Sequence, residues 1–116
     1  MRIIRFISQQ RIFHGEQIDN DHARRIEGDL FGQFTITKDI LRVEKLLAPL
    51  VPTDILCIGL NYREHAAEGG SPVPKVPMLF IKASNTLNNP GDPILIPRMS
   101  SQIDYEAELV VVIAKD

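Results

Sequence analysis

The chain has 116 residues, 44% of them hydrophobic, which is the size of one ordinary domain with enough apolar material for a core. Its formal charge is −2, with 13 Lys and Arg against 15 Asp and Glu, and the basic residues are scattered singly apart from Arg24-Arg25, so it carries no electrostatic footprint for nucleic acid. Arg2 and Arg5 interrupt the apolar N-terminus and the longest apolar run is Leu109 to Ala114, so neither a signal peptide nor a membrane span is read and a cytoplasmic protein is expected.

Arg2 to Ile7 reads as a strand and Arg11 to Phe13 as a second, with a tight turn at His14-Gly15-Glu16 before a third at Gln17-Ile18. Ala23 to Glu27 and Phe31 to Thr37 continue the pattern, which predicts a small β-rich domain over residues 1–50. His14 and His22 fall in polar turn regions and read as surface residues. Asp39 to Leu47 fits a helical stripe through Ile40, Val43 and Leu47, and also a strand through Val43, Lys45 and Leu47. Pro49 and Pro52 mark the boundary.

Ile55-Leu56-Cys57-Ile58 reads as a buried strand, with Cys57 a small buried hydrophobe and Gly59 the exit from the strand. Asn61 as N-cap, Glu64 three residues on, and Gly69-Gly70 as a left-handed stop together predict a helix of about two turns. His65 and Glu68 then share a face with Cβ atoms roughly 5–6 Å apart. Such a pair is either a general base oriented by a carboxylate or an ordinary surface pair. Met78 to Lys82 is a short apolar run ended by a charge, and Lys82 either snorkels to solvent or meets a ligand. Asn89-Pro90-Gly91-Asp92 carries a type II turn signature.

From Gln102 to Ile113 the chain reads as a strand with Asp104, Glu106 and Glu108 on one face at ~7 Å spacing. Like charges so placed repel, and either a divalent cation with oxygen ligands or a wet edge strand would relieve them. No Gly-rich phosphate loop, CxxC pair or GxSxG elbow occurs, so nucleotide binding, zinc and serine hydrolysis have no support.

In order, GLNYREHAAEGG, the Pro-rich bridge Ser71 to Pro77, MLFIKASNTL and NNPGDPILIPRMSSQIDYEAELVVVIAKD resemble the fumarylacetoacetate hydrolase family from about Ile55 to Asp116. The resemblance implies an α+β, mainly β fold: a small N-terminal β domain, then over 51–116 the start of a mixed β-sheet roll. It implies Glu106 and Glu108 as two ligands of Mg²⁺ or Mn²⁺, with Asp104 behind them. It further implies His65 and Glu68 as a catalytic dyad on a lid helix, Lys82 on substrate oxygens, and no organic cofactor. The implied substrate is an acylpyruvate-like 2-oxo acid cleaved at a C–C bond, in an enzyme that is a homodimer at full length. The family also decarboxylates oxaloacetate and isomerises or hydrates unsaturated 2-oxo acids. Its third metal ligand, an aspartate, follows well after the ExE strand, so the chain reads as the N-terminal portion of a longer enzyme and inactive alone. The alternative is a non-catalytic remnant or assembly partner.

Overall fold

The structure is a computed structural model that describes residues 1–114. It forms two compact units, 1–49 with 88–114, and Leu50–Leu87. The architecture is mainly β, as the sequence implies.

In the first unit, β1 (Ile3–Ser8) alternates half-buried and buried residues, turning Ile4, Phe6 and Ser8 inward. It pairs antiparallel with β2 (Arg11–Gln17) through Gln9 and Gln10, whose φ of 49° and 60° are those of a two-residue type I′ hairpin turn. The strand β2 runs straight through His14-Gly15-Glu16, where a turn is expected from the sequence. Gly15 is small there for another reason: a Cβ on it would lie 3.0 Å from both Phe6 Cε1 and Ala23 Cβ. The third strand is not Gln17-Ile18 but β3 (His22–Gly28), followed by β4 (Phe34–Arg42) and β5 (Lys45–Leu47). Residues 39–47 therefore take the extended alternative. Pairing steps from Arg24 with Ile40 to Ile26 with Ile36, so three β4 residues face Arg25 in a bulge.

The strand order β4-β3-β2-β1-β5 puts β4 and β5 on opposite edges. In a flat sheet those edges would be about 19 Å apart, four strand spacings. Only three Cα steps join Arg42 to Lys45, a reach of at most about 11 Å. The sheet must roll. Val43 N–H donates to Asp21 O at 2.7 Å and Glu44 N–H to Ile7 O at 2.9 Å, so consecutive residues stitch the β3 side to the β1 side. Inside lie Ile4, Phe6 and Ala23, with Phe13, Leu41, Val43 and Leu46 packed on them.

His14 is not a surface turn residue. It lies half-buried in β2 with Nε2 shut off from solvent, and burial together with Arg5 lowers its pKa from the ordinary 6.5, against a hydrogen bond with the Pro49 backbone.

In the second unit, β6 (Ile55–Gly59) and β7 (Met78–Lys82) pair antiparallel, from Gly59 opposite Met78 to Ile55 opposite Lys82. Helix α1 (Arg63–Glu68) lies between them in the chain, and one 3₁₀ turn (Ser84–Thr86) follows β7.

The expected strand over Gln102 to Ile113 is absent among the described residues, where 102–114 carry no regular structure and are exposed. A strand needs a neighbour for its backbone hydrogen bonds, and among the described residues the two sheets contain only β1 to β7. Residues 115 and 116, the last two of the stretch that resembles the family, lie outside the described residues.

Candidate active site

The entry to α1 is set by backbone strain. Leu60 has φ 52°, a left-handed conformation uncommon for any residue but glycine, directly after β6. The sequence points to Gly59 for that reversal, but the unusual dihedral falls one residue later. Tyr62, not Asn61, is the N-cap, and it has extended backbone and no side-chain cap bond, so the expected capping box with Glu64 does not form.

The other end is firmly stopped. Gly70 has φ 62°, its N–H donates to Ala67 O at 3.0 Å, and Ser71 N–H donates to Ala66 O at 2.9 Å. These paired bonds around a left-handed glycine are a Schellman motif. Ala66 is fully buried and is the helix's one buried residue. Its neighbours His65 and Glu68 are exposed. They share the helix surface at i and i+3, yet no hydrogen bond or ion pair joins them. At that spacing on one helix face the two side chains are neighbours, and both are open to solvent.

Lys82 ends β7, exposed, opposite Ile55 and on the face that carries Met78 and Phe80. Cys57, opposite Phe80, is a free thiol of intermediate exposure, and β6 is not the buried strand expected, since Leu56 is 62% exposed and none of its residues is buried. Lys82, His65 and Glu68 all belong to the Leu50–Leu87 unit.

Glu106 and Glu108 belong to the other unit, in the exposed segment 102–114, as does Asp104. Two carboxylates separated by one residue offer hard oxygen donors, which fits Mg²⁺ or Mn²⁺ better than a nitrogen- or sulfur-seeking metal. Among the described residues no three His, Cys, Asp or Glu side chains gather as a metal cluster.

One set of residues escaped sequence reading. Asn89 and Asp92, legible only as a turn, bind back across more than forty residues: Lys45 Nζ lies 2.7 Å from Asp92 Oδ1, and Ala48 N–H donates to Asn89 Oδ1 at 3.0 Å. Lys45 and Asn89 also converge on Asp92 Oδ2, each at 2.9 Å, and together they hold its carboxyl below the usual carboxylate range, Lys45 most. No local pattern announces such a contact.

Comparison with known proteins bears on this arrangement. Residues 54–116 match the family model described as fumarylacetoacetate (FAA) hydrolase C-terminal, and residues 1–49 match one described as Rv2993c-like, N-terminal. The mitochondrial oxaloacetate tautomerase fahd2 of Xenopus laevis is 49% identical over 71 residues, which are 60% of this chain and 22% of that protein. A 2,4-didehydro-3-deoxy-L-rhamnonate hydrolase of a Sphingomonas species is 48% identical over 61 residues, 53% of this chain and 21% of that protein. A solved structure of an uncharacterized protein from Mycobacterium abscessus superposes with TM-score 0.68 at 33% identity, over 87% of this chain and 40% of that one. The chain thus spans between about a fifth and two fifths of these relatives' lengths.

Proposed function

The chain belongs to the fumarylacetoacetate hydrolase family, and from that premise we propose that it carries the general-base half of an enzyme that hydrolyses a C–C bond in an acylpyruvate-like 2-oxo acid. The observation that carries this reading is helix α1, stapled at its end by the Schellman bonds and anchored by Ala66 alone, with His65 and Glu68 both exposed. A helix of six residues has little intrinsic stability, so presenting these two groups to a substrate is its most economical role.

In the proposed reaction His65, oriented by Glu68, takes a proton from water, and the hydroxide adds to the distal carbonyl carbon. Collapse of that adduct breaks the C–C bond. The bonding pair passes into the 2-oxo fragment as an enolate, whose oxygen the Lys82 ammonium stabilises, and the imidazolium returns the proton to carbon. Glu106 and Glu108 would hold Mg²⁺ or Mn²⁺, which when bound supplies Lewis-acid polarisation of the 2-oxo group.

A second reading is favoured by the 49% identity to an oxaloacetate tautomerase across the same segment. There His65 would shuttle one proton between C3 and the enol oxygen, with no water consumed. Assaying acylpyruvate cleavage and oxaloacetate keto–enol exchange side by side, with His65→Ala in each, decides between them. Loss of cleavage alone supports the hydrolase. Loss of keto–enol exchange, with no cleavage in the parent protein, supports the tautomerase.

A further inference from the structure

Helix α1 stands between two left-handed residues. At its exit that residue is Gly70, φ 62°, for which the conformation costs little, whereas at its entry it is Leu60, φ 52°, whose Cβ crowds the backbone there. A glycine lies one position earlier, but Gly59 is engaged in the β6–β7 pair opposite Met78, where a Cβ would come within 3.2 Å of Met78 Cε. The left-handed step falls instead on a half-buried leucine.

A strained residue persists only where its surroundings hold it, and such residues gather at functional sites. Little else directs the start of this helix. Tyr62 supplies no side-chain cap, the helix spans six residues, and Ala66 is its one buried residue. A helix of that length does not hold its own direction. The backbone between β6 and Arg63 must set it, and leucine constrains that backbone more than glycine would. Glycine takes left- and right-handed φ about equally and would make the joint a swivel, whereas a leucine whose half-buried side chain is held in place has one setting.

We propose that Leu60 is a positioning residue whose left-handed backbone fixes the direction in which α1 leaves β6, and with it the direction in which His65 and Glu68 are presented. Its purpose rests on the general-base reading above. Leu60 itself meets no reacting atom and acts through the helix that begins at Arg63. Strand, joint and helix all belong to the Leu50–Leu87 unit, so the joint works within one compact body.

Leu60→Gly and Leu60→Asn separate positioning from packing, because both remove the same half-buried side chain while only asparagine keeps a bias towards the left-handed region. In the complete enzyme, well below both thermal midpoints, Leu60→Gly should lower kcat roughly tenfold with KM within about twofold, the mark of a misplaced dyad, and Leu60→Asn should lose no more than about threefold. The Ala66 amide, which donates to Tyr62 O at 3.1 Å in a fully buried residue, reports the joint without substrate or metal. It should exchange roughly tenfold faster in Leu60→Gly than in Leu60→Asn, as local opening predicts. Equal kcat losses in the two variants, or equal Ala66 exchange, overturn the proposal. Turnover surviving in His65→Ala would overturn the general-base reading instead, and the Ala66 exchange rates would then decide the joint alone.

Discussion

Phe6 and Gly15 are complementary across the β1–β2 pair: the Phe6 ring stands where Gly15 has no side chain, so a Cβ there would meet Cε1 at 3.0 Å and the Arg24 carbonyl at 2.7 Å. Phe6 is fully buried and tilts against Phe13, with ring centroids 6.1 Å apart. The rolled sheet is built around that vacancy.

Gly15→Ala should therefore destabilise the chain by about 1–3 kcal/mol, the usual cost of forcing an extra carbon into a packed interior. Urea denaturation followed by far-ultraviolet circular dichroism measures it. A change below about 0.5 kcal/mol, ordinary for a surface substitution, would mean that the Phe6 ring yields freely.

The β1–β2 turn stores strain in two glutamines. Gln9 and Gln10 sit at φ 49° and 60°, and Gln9 N–H donates to Glu44 Oε1 at 3.0 Å, a bond any residue at position 9 other than proline keeps. Gln10→Gly should stabilise the chain by about 0.5–1 kcal/mol, because relief of the left-handed penalty outweighs the greater freedom of unfolded glycine. Gln10→Val should destabilise it. Equal midpoints for the two variants would contradict the type I′ assignment.

Two groups shape the acid side of the pH behaviour, both because their folded pKa values are lowered. Asp92 has its pKa lowered by the Lys45 and Asn89 bonds, so its contribution is complete above the ordinary carboxylate value of 3.8 and is lost as pH falls through the lower folded value. The Asp92 contact with Lys45 and Asn89 should hold at neutral pH and break only in strong acid, and Asp92→Asn should flatten that acid limb. His14 has its pKa lowered by burial, so below 6.5 the unfolded chain takes up a proton before the folded one does. Stability should decline as pH falls beneath 6.5 and level off once folded His14 titrates. The His14→Gln variant should lose that slope in a series of thermal melts.

His65→Ala in the complete enzyme should lower kcat by roughly 10²–10⁴-fold with Mg²⁺ affinity nearly unchanged, and Glu68→Gln should follow in the same direction. Glu106→Gln and Glu108→Gln should instead weaken Mg²⁺ binding, measured by calorimetric titration, since each removes a charged oxygen donor. Reversal of this pattern, with metal lost on changing His65, would exchange the two roles.

Much of this protein was legible in sequence because it is written in local terms. Alternation in Ile3–Ser8, the apolar run Ile55–Gly59, the double glycine after Glu68 and the turn at Asn89–Asp92 each depend on residues within one turn or one strand of each other. The types and order of His65, Glu68, Lys82, Glu106 and Glu108 likewise belong to the sequence. Tertiary structure alone decided that Gly15 makes room for Phe6 and does not reverse the chain, since the steric demand comes from the paired strand. It also decided that β4 and β5 close the roll, and that Lys45 and Ala48 grip Asp92 and Asn89 over forty residues away. The run from Gln102 to Ile113 shows the same division: its alternation is a property of the chain, but a strand exists only where another strand completes its hydrogen bonds.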